Sequence, residues 1–585
     1  MQDNMMEPGK VSDAWEVINW KKVQKIVYRL QNRIYRASKR GDTRTVQSLQ
    51  RLLSKSRSAK LLATRRVTQE NKGKKTAGVD GIKSLKPIER LRLAGTLALG
   101  EKVNPLRRKW INKPGKKEQR PLGIPTIHDR ATQALAKLAM EPEWEASFEP
   151  NSYGFRPGRS AHDAIGQIFN CIRLKPKWVL DADIKGCFDN INHDVLLQRL
   201  SKSHPSLGRE CKAWLKAGVM DEDIFQTTES GTPQGGVISP LLANIALHGL
   251  EEAIKKAIKG THVIRYADDF VIIHESLESI IKAKEVTRKW LSNVGLELRD
   301  DKTRITHTLN GGKDYQTGFD FLGFNVRQYP TPRRRMNKTQ RPYKTFIKPS
   351  KKAVKGIIKR LGDIIRKNRT VSQRQLIEML NPTIRGWANF HRIVVSSEIF
   401  SYIDHTLYLQ LKRWAERRHP LKGKKEVKDM YWHKVGKENW VFGVKQNNKI
   451  VLKLVNIDDT EIKRHDKVVG DKSWYDGDWT YWGTRRGEHP MISNHEATLL
   501  KKQNGRCSIC QGVFDLYDLT EEDHIWPKFL GGKNVNNNLQ LLHTACHHAK
   551  SRWDEKGYCP IRPWINSFHG TQEDSPIGHR QHRAV

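Results

Sequence analysis

Between residues 15 and 60 the chain reads as helix. Val23, Ile26, Val27, Leu30 and Ile34 recur at i, i+3, i+4, i+7 and i+11, which gathers them on one helical face, and Lys21, Lys22 and Arg29 fall between them. A Gly- and Lys-rich loop, ENKGKKTAGVDGI, follows at 70–82. From about 105 to 330, short β-branched runs mix with helical stretches and are punctuated by Gly and Pro, as in an α+β domain. The stretch TPRRRMNKTQRPYK (331–344) is a basic connector. A second amphipathic helix is expected at 351–367, where Val354, Ile357, Ile358, Leu361, Ile364 and Ile365 form one stripe and Lys351, Lys355, Lys359 and Arg366 lie outside it. Helical patterning continues to about Arg418, residues 420–490 are Trp-rich and weakly periodic, and 500–560 gathers cysteines and histidines. No internal repeat is visible.

Charge changes the picture most. The 585 residues include 105 Lys+Arg against 63 Asp+Glu, a formal net charge of +42. Such an excess repels itself unless a polyanion neutralises it, and nucleic acid is the obvious one, gaining from counterion release. The 17 Trp, 14 Tyr and 16 Phe supply rings that can stack on unpaired bases. With 37% hydrophobic residues, the chain buries real cores and is not wholly disordered. No run approaches the ~18 apolar residues of a membrane span, and the opening MQDNMMEPGK lacks a signal-like apolar core. A cytoplasmic (bacterial or nucleoid-associated) or organellar setting is expected, not a secreted or membrane one. Of seven cysteines, Cys171, Cys187 and Cys211 are scattered, while Cys507, Cys510, Cys546 and Cys559 crowd together. That pattern suggests one metal site in a reducing compartment, not a disulfide framework.

The sharpest motif is Tyr266-Ala267-Asp268-Asp269, flanked by the β-prone runs THVIR and FVIIHE. As a hairpin it puts both aspartates at the turn, where adjacent carboxylates need a cation or solvent to offset their repulsion. Upstream, WVLDADIKGCFDNI sets Asp181 and Asp183 two apart on an apolar strand, hence on one face. A divalent-metal site built from both segments would serve phosphoryl transfer. GTPQGGVISPLLANIALHGLE, GLELRDDKTRI and GFDFLGFNV follow or intervene in order. RPLGIPTIHDRATQALAKLAMEPEWEASFEPNSYGFRPGRSAHDAI stands upstream, and LNPTIRGWANFHR lies at 380–392.

Together these segments, spanning about 20–420, resemble the reverse transcriptases encoded by group II introns. The resemblance implies that Asp183, Asp268 and Asp269 hold Mg²⁺ in the palm of a right-hand polymerase. It implies that Phe188, five after Asp183, lies under the incoming sugar and excludes a ribose 2′-hydroxyl; a core Phe is the alternative. Gln234 would contact the nucleotide, and Arg120 and Lys113 would grip its triphosphate, with Lys116 or Lys117 able to substitute for Lys113. Lys302 would act near the leaving pyrophosphate or else be a solvated surface lysine, and Asp181 would be structural or support the metal-binding aspartates from behind. Arg385, Trp387 and His391 match the family's maturase (thumb) segment, which binds structured intron RNA and promotes splicing.

Near the C-terminal end, Cys507 and Cys510, and His543 and Cys546, form two pairs with two-residue spacing, enough for a tetrahedral Zn²⁺ site. Cys559 is an alternative fourth ligand. Between the pairs, DHIWPKFLGGKNVNNNLQLLH resembles the HNH (ββα-metal) nuclease pattern. That resemblance implies His524 as the general base activating water, Asp523 and His547 as holders of a catalytic divalent ion, and Asn538 as the brace of the intervening loop. A degraded unit that binds DNA without cutting is the alternative.

The expected architecture is an α+β multidomain chain: a right-hand polymerase with a helical thumb and a small ββα-metal domain. Its parts are an N-terminal helical extension of the fingers (1–75), fingers and palm (76–330), thumb/maturase (345–420), a DNA-binding linker (425–499) and the HNH endonuclease with its zinc knuckle (500–560). In the linker, Trp432, Trp440, Trp474, Trp479 and Trp482 suit either DNA contact or core packing. The expected partners are group II intron RNA, target DNA and dNTPs; the sequence leaves the oligomeric state open. The rivals are a non-catalytic splicing factor and a reverse transcriptase of another lineage, CRISPR-associated or retron.

Overall fold

The computed structural model describes residues 14–557 except 101, 113–118, 222–223, 233–234, 313, 333–340, 437, 448 and 516–517. Lys113, Gln234 and Cys559 therefore lie outside the described residues.

The N-terminal helical stretch is three helices, Trp20–Lys39, Thr43–Lys55 and Arg57–Arg65, packed on the long helix Ile127–Glu145. The break after Lys39 has a local cause: Gly41 takes φ +74°, and Asp42 caps the next helix by accepting from Thr45 N. Val23, Val27 and Ile34 are buried as the periodicity predicts, but Ile26 is exposed at the edge of the stripe.

A five-stranded sheet forms the palm. Its order is His262–Tyr266, Asp269–His274, Trp178–Asp183, Arg304–His307, Gln316–Thr317, with the first three junctions antiparallel and the last parallel. One face buries Leu180, Phe270 and Ile272 in the main core. On the other, Val179, Val271 and Ile273 pack with Ile165 and Ile168. Burial on both faces explains why these strands read as continuous apolar runs. Asp181, Asp183 and Asp269 share the second face, at its uncovered end. The fingers sheet sets Leu106–Asn112 between Gln119–Ile124 and Val219–Asp221.

Strands Phe319–Phe321, Phe324–Pro330 and Tyr343–Pro349 lead into the thumb helices Lys351–Lys367, Gln373–His391 and Ser397–Arg418. Ile357, Leu361 and Ile365 of the predicted stripe are buried there. The same core continues past 420 through Tyr431, Trp432, Phe442, Leu454 and Ile457, from helix Lys424–Tyr431 and the meander after it.

Residues 463–489 then run as a strap back over the polymerase body. Lys463 N donates to Arg392 O in the thumb (3.0 Å), Val468 N to the buried Asp163 carboxylate (2.8 Å), and Tyr475 Oη to Glu141 (2.7 Å). Trp432 and Trp482 are buried and Trp474 is half-buried, whereas Trp440 is 53% exposed with the Lys428 ammonium over its ring. The last unit is a ββα arrangement: Thr520–His524 paired antiparallel with Leu539–His543, then helix Thr544–Glu555. Among the described residues no helix is long and apolar enough to cross a membrane.

Candidate active sites

The Tyr266–Asp269 pairing leaves Ala267 and Asp268 as a two-residue turn. Ala267 sits at φ +58°, a left-handed conformation that strains a residue with a Cβ. A buried network holds it. The Arg265 guanidinium, 4% exposed, donates to Ala267 O (3.3 Å) and Asn244 Oδ1 (3.0 Å), and Asn244 Nδ2 donates to Gly154 O (2.9 Å). Gly154 lies so close that a Cβ there would stand 2.3 Å from Ala267 N. Sequence reasoning missed these three residues. Their one trace was the glycine in YGFRPG, which fits a close backbone approach.

Asp183 and Asp269 are direct partners across the sheet, and Asp268 stands next to Asp269 in the turn. Three carboxylates thus converge at the end of the sheet, Asp183 and Asp268 half-buried and Asp269 open to the cleft. Burial, then the Asp183 charge, raises the Asp268 carboxyl above its usual range. Burial, then Asp268 and Asp183, pushes Asp269 up to about 6. Burial, then Asp269, pushes Asp181 up to about 7. Carboxylates gathered this closely repel one another and form a natural seat for a divalent cation.

Lys302 pairs with the Asp183 carboxylate. Arg120, on strand Gln119–Ile124, is close enough for its charge to lower Asp268. A cleft of ≈ 590 Å³ is floored by Asp181, Asp183, Asp269 and Lys302 and bounded by Asp320 and Lys352. Asp181 therefore lines the same cleft as the carboxylates.

Phe188 meets Phe155 edge-on at 6.2 Å, and its carbonyl accepts from Thr232 N at 2.5 Å. The loop 230–232 clasps the Phe188 turn closely: a Cβ on Gly231 would lie 2.5 Å from Asp189 O. Phe155, exposed at φ +60°, is a second strained residue, its ring set against Phe188.

In the terminal unit, ligand atoms of Cys507, Cys510, His543 and Cys546 all lie within 4.8 Å of one another. His543 Nδ1 faces Cys510 Sγ (3.4 Å), and its Nε2 meets Asp518 (3.2 Å), the carboxylate support that ligating histidines commonly have. Burial raises the Cys507 thiol, but backbone donors at Cys510, His543 and Ile509 outweigh it and leave the thiol lowered to about 7. This cluster fits a tetrahedral metal site.

Around the expected nuclease centre, His547 Nε2 is 3.8 Å from Asp523 Oδ1, and its Nδ1 is 2.7 Å from Glu521 Oε2. Glu521, two residues before Asp523 on the same strand face, was not picked out from the sequence. His524 Nε2 lies 3.3 Å from Asn534 Oδ1. Asn538 accepts from Trp526 N (2.8 Å) and donates to Trp526 O (3.0 Å) and Lys533 O (2.9 Å), so it ties both sides of the loop together.

A palm sheet with three carboxylates at one end, fingers and a helical thumb defines a template-directed polymerase, here joined to a ββα-metal unit. Residues 15–97 match the family "N-terminal domain of reverse transcriptase", 111–326 "Reverse transcriptase (RNA-dependent DNA polymerase)", 354–432 "Group II intron, maturase-specific domain" and 507–552 "HNH endonuclease". The chain belongs to the group II intron-encoded reverse transcriptase and maturase family and carries an HNH endonuclease domain. It is 33% identical over 306 residues to Protein YkfC of Escherichia coli (strain K12), covering 45% of this chain and 78% of that protein. Group II intron-encoded protein LtrA of Lactococcus lactis subsp. cremoris is 32% identical over 291 residues, 38% of this chain and 47% of LtrA. Maturase-like protein 1 of Euglena gracilis is 25% identical over 403 residues, 64% and 76% of the two chains. The match thus spans about half of LtrA's length.

Proposed function

We propose that this chain copies RNA into DNA, assists the splicing of its own group II intron RNA, and nicks target DNA so that the new 3′ end primes the copy. The observation that carries the polymerase reading is the rung joining Asp183 to Asp269 beside Asp268 in the turn. With Mg²⁺ bound by these three carboxylates, the metal would polarise the attacking 3′-hydroxyl and stabilise the leaving pyrophosphate of a dNTP. Lys302 would offer an ammonium to the departing phosphates, and Arg120 together with Lys113 would balance triphosphate charge. Gln234 would add a nucleotide contact from the PQG loop.

In the HNH unit, His524 would take a proton from the attacking water. Asp523 and His547 would hold the divalent ion, while Zn²⁺ on Cys507, Cys510, His543 and Cys546 would fix the fold. The intact carboxylate triplet favours this reading over a non-catalytic splicing factor. The maturase match favours it over another lineage of reverse transcriptase.

Asp268→Ala tests the polymerase reading: RNA-templated primer extension should fall about a thousandfold or more while RNA binding persists, and retained synthesis refutes the metal assignment. His524→Ala should remove DNA nicking and leave extension from a supplied primer intact.

A further inference from the structure

The loop joining the two strands of the terminal unit carries an apolar edge beside the nuclease centre. Strand Thr520–His524 ends at His524, and its partner begins at Leu539. In the connection between them Phe529 is 65% exposed, Leu530 38% and Val535 50%. Single exposed apolar side chains are ordinary on a surface, but three on one loop suggest an edge that meets a partner.

This loop is braced. Asn538 ties Trp526 to Lys533, and Trp526 Nε1 donates to Leu530 O (2.8 Å). Gly531 takes φ +90°, and Gly532 approaches so closely that a Cβ there would stand 1.9 Å from Trp526 O. The single helical turn Lys528–Leu530 is thereby held with all three side chains exposed. A ring presented on a fixed turn needs little further ordering to meet a partner.

Position and charge identify that partner. Asn534, on the returning side of the loop, stands 3.3 Å from His524 Nε2. Phe529 is five residues from each in sequence, so its backbone lies within about 17 Å of the expected general base. That reach covers about five base-pair steps of a DNA duplex. Lys528 precedes the ring and Lys533 follows it, both exposed, and no acidic residue occurs between Asp523 and Asp554. An apolar ring framed by lysines next to a phosphodiester-cleaving centre suits a duplex: the lysines meet phosphates and the ring meets base faces.

We propose that Phe529 is a wedge that enters one base-pair step of the target duplex near the nick and partly unstacks it. The distortion brings the scissile phosphate to His524, while Lys528 and Lys533 hold the flanking phosphates. Phe529 is thus a positioning residue, since it acts through the shape of the DNA and touches neither the reacting phosphate nor the ion. Pyrimidine–purine steps unstack most readily, so the wedge also biases where the strand is cut. The inference rests on the proposed nicking of target DNA and adds a determinant of the cut position.

The test uses the full chain with its intron RNA and a duplex of the joined exons, labelled on the strand that the nuclease cuts. Phe529→Ala should lower nicking of the fully paired duplex about tenfold or more, whereas Phe529→Leu should keep most of it. A single mismatch, moved through the steps on either side of the nick, should restore Phe529→Ala to within about twofold of wild type at one step only. Leu519→Ala is the control: it removes a 76%-exposed apolar side chain just before the end of the strand remote from His524, and it should nick normally. Stacking is read directly in the His524→Ala background, where 2-aminopurine scanned along the duplex should brighten at that same step on binding. Adding Phe529→Ala should keep it dim. Undiminished nicking of paired DNA, a loss that no mismatch restores, or an equal loss in Leu519→Ala overturns the wedge. A wild-type complex that nicks no duplex overturns the nuclease reading instead, and the 2-aminopurine signal then decides the wedge by itself.

Discussion

Asp183 and Asp269 face each other across one rung of the palm sheet, and Lys302 reaches Asp183 from the neighbouring turn. The rung links chain positions 86 residues apart, yet the backbone register alone fixes their spacing. Asp268, in the turn beyond, completes the triplet without needing a third strand. Lys302 shares Asp183 with any cation that enters, so in the proposed mechanism the same lysine would stand near the departing phosphates.

Phe188 sets the floor of the nucleotide site in the reading above. Phe188→Ala should leave dNTP incorporation within a few-fold and raise the relative kcat/KM for ribonucleotides by about 10–200-fold, the range of a steric discrimination of 1–3 kcal/mol. Single-nucleotide incorporation with matched dNTP and NTP pairs measures it. Unchanged discrimination would leave Phe188 as packing against Phe155.

What could be read from the sequence follows the range of the interaction. The Tyr266–Asp269 turn and the two Cys/His pairs are local, so spacing alone exposed them. The hold on Ala267 comes from Arg265, Asn244 and Gly154, and the Asn244–Gly154 bond spans 90 residues, so it leaves no periodic signal. The strap is similar: His465 and Arg485 meet Asp163 more than 300 residues away, and nothing in a basic, weakly periodic stretch announces that destination. Trp432 and Trp482 show the same limit, because a Trp among lysines suits a core and a nucleic-acid surface equally until its neighbours are known.

Cys546→Ser should remove one metal equivalent and unfold only the terminal unit. Zinc content measured on purified protein should fall from about one per chain toward zero, and DNA nicking should be lost with it, because structural zinc contributes directly to folding. Primer extension should persist, since the palm has a separate core. Full zinc retention would point to a different ligand set.

Two buried histidines make the fold acid-sensitive. Burial pushes His391 down to about 4 and His489 down to about 3; His489 is 2% exposed between Tyr28 and Trp474. Both prefer to be neutral in the fold, so protonation favours the unfolded chain. Their contribution is complete above about pH 6.5 and declines as pH falls through about 4 and 3. At pH 5 each should cost about 2 kcal/mol relative to pH 7.5. Denaturant midpoints at the two pH values measure the loss, and His489→Phe should shrink the difference by about half.

Gly154 offers the most direct probe of how the catalytic turn is held. A Cβ at 154 would stand 2.3 Å from Ala267 N and 2.9 Å from Tyr266 C, both backbone atoms that cannot rotate away. Gly154→Ala should therefore displace the turn carrying Asp268, and primer extension should fall about a hundredfold, the cost of an error near 1 Å in catalytic geometry. Gly154 is buried against the edge of the palm sheet, so the substitution should also lower the denaturant midpoint, while RNA affinity of the folded protein should stay close to wild type. Arg265→Lys should act in the same direction more weakly, because the shorter lysine does not place its nitrogen where Arg265 Nη1 donates to both Asn244 Oδ1 and Ala267 O. Wild-type extension rates in Gly154→Ala would show that the turn keeps its geometry without this close approach.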